Sequence, residues 1–137
     1  MTITEAEADS TAGSAVTGGP RLVLRLEGVV LLAAAVTAFA AGDQPWWLLP
    51  LFLFLPDVFM AGYLRSSRLG ALTYNLAHSY PLPAALGAVA LSQDSAFSLA
   101  LALVWFAHIG MDRALGYGLK HDHGFAATHL GPIGRQH

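Results

Sequence analysis

Four apolar stretches, each close to the length that crosses a membrane as a helix, occupy most of the sequence. They run over Leu22–Ala41, Trp46–Leu64, Leu69–Leu91 and Ala96–Leu115. A transmembrane helix needs about 20 apolar residues to cross a hydrocarbon core about 30 Å thick. The separating segments AGDQP, RSSR and SQDS are short and turn-like, which places consecutive helices antiparallel. The pattern predicts an all-α fold, a four-helix transmembrane bundle with up-down-up-down topology.

The composition favours a membrane protein over a soluble helical one. Only 12% of the 137 residues are charged, whereas soluble domains carry about 25%, and a soluble bundle would need a polar face on each helix. The formal net charge of −2 gives no reason to expect a nucleic-acid partner, so the expected partner is the lipid bilayer. The chain has no cysteine, which excludes disulfides and thiolate metal ligands.

Three segments are predicted along the chain. Residues 1–20 are polar, which predicts a disordered tail, and they lack the basic start and apolar run of a cleaved signal peptide. Residues 21–120 are predicted to form the four-helix transmembrane domain. Residues 121–137 are rich in His and Gly and are expected to form either a solvated tail or a lid over one end of the bundle.

All seven basic residues fall on one side of the predicted bundle. They are Arg21, Arg25, Arg65, Arg68, Arg113, Lys120 and Arg135. Basic residues mark the cytoplasmic side of membrane proteins, so both termini are predicted to be cytoplasmic. Trp46 and Trp47 open the second stretch at the opposite side, where interfacial aromatic residues are expected.

Ionisable side chains interrupt the apolar stretches at a similar depth. Each one inside a span costs about 2.5–3.5 kcal/mol on insertion scales and therefore needs a reason. Counted from the nearest basic residue at about 1.5 Å per residue, Asp57, His78 and His108 lie roughly 12, 15 and 7.5 Å inside. Tyr74 and His78, like His108 and Asp112, are spaced i and i+4 and share a helix face. These side chains are predicted to converge in the cytoplasmic half of the bundle.

Three prolines lie at the same depth. Pro56, Pro81 and Pro83 each remove a helical hydrogen bond and free a backbone carbonyl. Inside a membrane a freed carbonyl must be satisfied by protein or by water in a cavity. The prolines therefore favour a polar cavity over simple kinks.

The polar set and the aromatic residues near it suggest an enzyme that acts on a lipophilic substrate. The predicted catalytic residues are Asp57, Tyr74, Asn75, His78, His108 and Asp112. A carboxylic acid in an apolar cavity can deliver a proton, so we assign Asp57 as the acid, a histidine as the base, and Tyr74 and Asn75 as orienting donors. The predicted substrate pocket contains Phe54, Phe59, Tyr63, Trp105, Phe106, Arg113 and Tyr117. Isomerisation, cyclisation or epoxide opening of a terpenoid-like or lipid substrate fits this set.

Four of these residues also form a candidate metal site. Asp57, His78, His108 and Asp112 together offer nitrogen and oxygen ligands suited to zinc, iron or manganese. The sequence contains no compact motif such as H-E-x-x-H. A divalent metal cofactor is therefore a hypothesis beside metal-free acid–base chemistry.

Two long strings resemble a family of small bacterial membrane proteins known as domain of unknown function 4260. The strings are PDVFMAGYLRSSRLGALTYNLAHSYPLP and WFAHIGMDRALGYGLKHDHGFAATHLGPIGR, and the resemblance extends from about Arg21 to Arg135. It implies a multi-pass helical protein of the bacterial inner membrane and supplies no reaction. The residues that match the motifs are Asp57, Gly62, Tyr63, Tyr74, Asn75, His78, His108, Asp112, Arg113, Gly116, Tyr117, Gly118 and Lys120.

Two other functional classes are alternatives to an enzyme. Buried Asp and His serve as proton relays in transporters, but a proton-coupled small-solute carrier with four helices would require a homo-oligomer, and the two halves show no internal repeat. A structural subunit would use polar residues only as interhelical hydrogen bonds, at about 0.6 kcal/mol each. Because the polar set lies in one half of the membrane, the enzyme hypothesis is favoured over a conduit.

Overall fold

Helices account for most of the chain that the structure, a computed structural model, describes, namely residues 16–120 and 128–130. The elements are α1 (Gly18–Ala40), α2 (Leu48–Phe52), a 3₁₀ helix (Leu55–Leu64), α3 (Ser67–Ala77), α4 (Pro81–Ser92) and α5 (Ala96–Leu115). Within these described ranges, β-type pairing is limited to one isolated antiparallel bridge between Lys120 and Thr128. The prediction of an all-α fold is confirmed.

The first and last apolar stretches form continuous helices. Of the described helices, α1 and α5 are long and apolar enough to cross a membrane, and α5 has the predicted bounds. Ser95 caps the start of α5 by accepting a hydrogen bond from the Ser98 N–H, and Gly116, at φ 88°, ends it in the left-handed conformation that glycine favours. Since α1 begins at Gly18, its first residues belong to a helix rather than to the predicted tail.

The second and third apolar stretches are each broken, which differs from the prediction of four continuous transmembrane helices. The second divides into α2 and the 3₁₀ helix beside Pro56, and the third divides into α3 and α4 directly before Pro81. Proline has no N–H to donate, and its ring clashes with the carbonyl four residues earlier. Neither stretch therefore continues as one α-helix, although both are apolar over the required length.

Carbonyls at the break after α3 accept hydrogen bonds from side chains of α5. Trp105 Nε1 donates to the Ala77 carbonyl at 2.6 Å, and Arg113 Nη2 donates to the His78 carbonyl at 3.2 Å. In an apolar environment each carbonyl left without a partner would cost several kcal/mol. These two bonds hold the break against α5.

The helix α3 also packs closely on the 3₁₀ helix. A Cβ added to Gly62 would lie 3.1 Å from Gly70 Cα, and a Cβ added to Gly70 would overlap the Tyr63 ring. Thr73 Oγ1 donates a hydrogen bond to the Phe59 carbonyl at 2.7 Å. The small residues at this contact let the end of α3 lie beside the first turns of the 3₁₀ helix.

The helices α1 and α5 run antiparallel with their backbones in contact. A Cβ added to Gly28 would lie 2.8 Å from the Gly110 carbonyl oxygen, and a Cβ added to Gly110 would lie 2.6 Å from Leu32 N. Further along, Arg25 Nε donates to the Ala114 carbonyl at 2.9 Å. Glycine at such a contact is typical of close helix packing in membranes. It fixes the position of the part of α5 that also carries the polar residues.

We predict that Gly110→Ala destabilises the fold because the new methyl group would push α1 away from α5. Overpacking of this kind costs about 1–3 kcal/mol, measurable as a lower midpoint of thermal unfolding in detergent. Gly87→Ala in α4 is the matched control, since its Cβ would meet Ala102 Cβ at an ordinary 3.7 Å. Equal stability of the two variants would contradict the proposed backbone contact.

Candidate functional site

Four ionisable side chains from three parts of the fold meet at one point. Asp57 comes from the first turn of the 3₁₀ helix, His78 from the residue that ends α3, and His108 and Asp112 from successive turns of α5. One nitrogen or oxygen atom from each lies within 4.8 Å of the others. We call this group the His–Asp cluster. The structure thus brings together the four residues that the sequence suggested as acid–base or metal-binding groups.

The two imidazoles form the centre of the His–Asp cluster. His78 Nε2 lies 2.9 Å from His108 Nε2, and Asp57 Oδ1 lies 3.2 Å from the first and 3.4 Å from the second. Asp112 Oδ2 lies 3.5 Å from both nitrogens. Each nitrogen therefore faces three other polar atoms at close range.

Tyr74 supports two members of the cluster. Its ring stacks on the His78 imidazole with centroids 3.7 Å apart, and its carbonyl accepts a hydrogen bond from His78 Nδ1 at 2.8 Å. Its hydroxyl donates to Asp112 Oδ2 at 3.4 Å. The i, i+4 spacing of Tyr74 and His78 produces this arrangement, and it places Tyr74 at the wall of the site, as the sequence suggested.

The cluster is buried on one side and open on the other. The side chains of His78 and His108 are 4% and 1% exposed, whereas that of Asp57 is 37% exposed. Asp57 faces a cavity of about 440 Å³. The cavity is lined by Phe54, Asp57, Met60, Tyr74, Met111, Asp112, Leu115, Tyr117 and Lys120. A ligand would therefore reach the cluster past Asp57, through a cavity lined by both apolar and polar side chains.

Lys120 lines this cavity, whereas the sequence predicted only a cytoplasmic charge and a match to a family motif at this position. Its side chain is buried, with Nζ 5.0 Å from the centre of the Tyr74 ring. Burial lowers the pKa of Lys120 to about 8, against the opposite influence of Asp112 and Asp57. No local pattern indicates this placement, because it depends on a contact between residues 45 positions apart.

Asn75 makes that long-range contact instead of facing the cluster. Its Nδ2 donates to the Lys120 carbonyl at 2.8 Å, and its Oδ1 accepts from the Lys120 N–H at 2.6 Å. Both ends of the amide are therefore used to hold the backbone of Lys120. The structure makes Asn75 a positioning residue for the cavity wall, rather than the orienting donor that we expected at the reacting groups.

The predicted pocket residues divide among several places. Phe54 and Tyr117 line the cavity at the cluster, whereas Phe59 and Trp105 line a separate apolar cavity of about 230 Å³. The other three have structural contacts: Phe106 packs against Tyr80, Tyr63 packs against Gly70, and Arg113 donates to the His78 carbonyl.

Sequence analysis also missed three apolar residues of the cavity. Met60 lies three residues after Asp57, and Leu115 three residues after Asp112, whereas Met111 directly precedes Asp112. Helical spacing from the two carboxylates could have identified Met60 and Leu115 as neighbours on the same face.

A short part of the C-terminal segment folds back beside Lys120. Leu119 N donates to His129 Nδ1 at 2.8 Å, and His129 N donates to the Leu119 carbonyl at 3.1 Å. Leu130 is fully buried. These residues are packed rather than solvated, while residues 1–15, 121–127 and 131–137, with His121, His123 and His137, lie outside the described residues.

We predict that Asn75→Ala loosens the backbone at Lys120 without unfolding the helices. Removing the partner of a buried N–H costs about 1–3 kcal/mol, so amide hydrogen exchange at Lys120 should accelerate by about tenfold or more. Ser92→Ala is the control, because it removes a hydrogen bond of similar length within α4. Equal protection of the Lys120 amide in both variants would show that Asn75 does not hold this segment.

Comparison with known proteins identifies a family but no activity. No curated protein and no solved structure matches the chain significantly. One family model matches residues 21–133, a range that contains the His–Asp cluster, Asn75 and Lys120. This confirms the resemblance seen in the sequence: the chain belongs to the family described as Domain of unknown function (DUF4260).

Proposed function

We propose that this protein is an integral membrane enzyme that performs acid–base chemistry on a lipophilic substrate. The observation that carries the proposal is the His–Asp cluster itself, which joins two carboxylates and two imidazoles beside a cavity with a partly apolar lining. Proton donors and acceptors within hydrogen-bond reach of one another are what general acid–base catalysis requires. The proposed location is the bacterial inner membrane.

The exposed surface supports a membrane location. Val30, Trp46 and Leu64 are 68%, 60% and 92% exposed, and many other large apolar side chains are also uncovered. Soluble monomers rarely expose contiguous apolar patches above a few hundred Å², so contact with lipid explains this surface better than contact with water. In the proposed arrangement α1 and α5 cross the membrane, and the pairs α2–3₁₀ helix and α3–α4 form two interrupted passes between them.

A membrane pass can be interrupted where the free backbone carbonyls and N–H groups at the break have hydrogen-bond partners. The bonds from Trp105 and Arg113 to the carbonyls after α3 provide such partners. The arrangement retains the four-pass topology expected from the sequence, with both termini and the cluster toward the cytoplasm.

The chemistry follows from the different exposure of the four groups. Asp57 is the most exposed and meets the substrate first, so it is the proposed proton donor to an alkene carbon or an epoxide oxygen. His78 or His108 removes a proton from a neighbouring carbon, and Asp112 orients the imidazoles. Isomerisation or cyclisation then leaves the substrate's composition unchanged, whereas epoxide opening by water adds one water molecule. Neither reaction needs an external oxidant or reductant.

The cavity supports a lipophilic substrate such as a terpenoid or another lipid. Its volume of about 440 Å³ falls in the range of small-molecule sites. Phe54, Met60, Met111 and Leu115 offer apolar contacts, and methionine adapts readily to irregular shapes. Contact with these side chains would hold a functional group of the substrate beside Asp57.

The opposite end of the bundle supports a catalytic site over a transport pathway. Phe39, Leu48, Ala100 and Val104 form a buried apolar cluster there. Along α5, Ala100 precedes His108 by eight residues, or about 12 Å. A polar pathway through the described part of the chain would have to cross this apolar layer, so a proton-coupled transporter is the weaker alternative.

We predict a topology with the loops at Asp43 and Gln93 outside and the loop at Ser67 in the cytoplasm. Because the chain has no native cysteine, single cysteines at these exposed positions can be labelled one at a time. An impermeant thiol reagent added to intact cells should modify Asp43→Cys and Gln93→Cys but not Ser67→Cys. Labelling of only the Ser67→Cys variant would reverse the orientation.

We predict that Asp57→Asn strongly slows turnover while preserving the fold. Full-length protein in lipid nanodiscs is incubated with a lipophilic extract of its native cells, and untargeted mass spectrometry follows compounds that change. The wild-type product should have the mass of its precursor or that mass plus one water. Asp57→Asn should slow its formation by about 10²–10⁴-fold, whereas Asp43→Asn, the same change in an exposed loop, should not.

Two outcomes would contradict the enzyme hypothesis. A folded Asp57→Asn protein with wild-type turnover would remove the Asp57 carboxylate from the mechanism. A wild-type protein that changes no compound but carries a proton-coupled solute flux in vesicles would favour the transporter.

A further inference from the structure

We infer that the His–Asp cluster binds one divalent transition-metal ion through Asp57, His78, His108 and Asp112, most closely matching zinc. The inference deepens the proposed function and takes its catalytic meaning from it. With an ion bound, Asp57, His78 and His108 would serve as its ligands in place of their roles as free acid and base, and the presence of the ion is tested separately from turnover.

Four of the six distances among the ligand atoms lie close to the edges of a tetrahedral metal shell, and no pair is more than 4.8 Å apart. Zinc lies about 2.0–2.2 Å from imidazole nitrogen and carboxylate oxygen, so the ligand atoms of a tetrahedral site are about 3.3–3.6 Å apart. Four of the nitrogen and oxygen contacts are 3.2, 3.4, 3.5 and 3.5 Å, and the two nitrogens are 2.9 Å apart. A small rotation of the carboxylates or rings would complete the shell.

Hydrogen bonds alone account poorly for this crowding. The lone pair or proton of an imidazole Nε2 points in one direction in the ring plane, so it makes one good hydrogen bond. In the cluster, each Nε2 faces the other Nε2 and both carboxylates. At most one proton can lie between the two nitrogens. Most of the short contacts among the four ligand atoms therefore have no proton between them and are not hydrogen bonds. A cation at the common centre satisfies all four atoms at once.

The tautomer of His78 suits a metal. His78 Nδ1 faces the Tyr74 carbonyl at 2.8 Å, and a carbonyl only accepts, so Nδ1 carries the proton and Nε2 has a free lone pair when the ring is neutral. On His108, Nδ1 is buried and makes no hydrogen bond within the described residues, so the contacts leave its tautomer open. Of the two rings, His78 is the one that directs its second nitrogen to a carbonyl. Metal-bound histidines commonly direct their second nitrogen to a carbonyl in this way.

Charge supports the same conclusion. Two ionised carboxylates in a poorly solvated site repel each other, and burying uncompensated charge is costly. Two carboxylates, two neutral imidazoles and one divalent ion sum to zero. Two nitrogen and two oxygen ligands in a tetrahedral spacing favour zinc over magnesium or calcium, which prefer six or more oxygen ligands.

The position of the site gives the ion access to substrate. Asp57 is the only one of the four ligands with a substantially exposed side chain, and it lies at the cavity. An ion held there would supply Lewis acidity beside the cavity if one ligand withdrew or the shell expanded to five ligands. Asp57 would then meet both the ion and the substrate, which makes it the ligand best placed to change its contacts during a reaction.

The experiment measures metal content and coordination in the full-length protein. The protein is purified in detergent without a polyhistidine tag, and zinc is measured by elemental analysis. Cobalt is then introduced as a probe, because tetrahedral cobalt has intense visible absorption bands. We expect one zinc per chain and a tetrahedral cobalt spectrum. His108→Gln and Asp112→Asn should lose both signals, while circular dichroism confirms that each variant remains helical.

The C-terminal histidines provide the matched control. A His121→Ala, His123→Ala double variant should retain the full zinc content and cobalt spectrum. Metal lost in this variant and retained in His108→Gln would assign binding to the C-terminal segment and overturn the inference. Wild-type protein that binds neither zinc nor cobalt would overturn it too, and loss of turnover in Asp57→Asn would still support metal-free acid–base chemistry. Stoichiometric metal in a protein without turnover would retain the site and refute the proposed enzyme.

Discussion

The hydrogen bonds from α5 to the end of α3 are the interaction on which the rest of the site depends. Trp105 and Arg113 donate to the carbonyls of Ala77 and His78, where the apolar stretch breaks before Pro81. A break of this kind is stable in an apolar environment only if its backbone groups have partners. Because both partners lie on α5, the same bonds that make the break tolerable also bring His78 to His108. The hydrogen bonds that offset the free-energy cost of interrupting the helix are thus the same ones that assemble the His–Asp cluster.

The polar residues of the apolar stretches have two different kinds of contact. His78, His108, Asp57 and Asp112 meet one another, whereas Asn75 and Arg113 are occupied with backbone groups. Side chains of the second kind hold the first in place. Polar residues in apolar segments therefore do not all belong to one functional class, even where they lie at the same depth.

The sequence predicted some features well because they depend on local properties. The bounds of α5 follow from the apolar length, the cap at Ser95 and the glycine at 116, and the meeting of Asp57 with His78 and His108 follows from their common depth. The breaks in the second and third stretches were harder to predict. Hydropathy measures the average apolar character of a stretch, and it does not show which backbone carbonyls have hydrogen-bond partners. The placement of Lys120 could not be predicted, since it depends on Asn75, 45 residues earlier.

The 3₁₀ helix has a geometric consequence for whatever occupies the cavity. Phe54, Asp57 and Met60 are spaced by three residues and all line it, and a helix with three residues per turn aligns such side chains in a straight row. An α-helix would rotate each one by about 60° from the last at 100° per residue. With a rise of about 2.0 Å per residue, the row presents a side chain roughly every 6 Å. An extended molecule lying along this row would therefore contact it at regular intervals, with the Asp57 carboxylate as the middle of the three contacts, so the row would be sensitive to the length of that molecule.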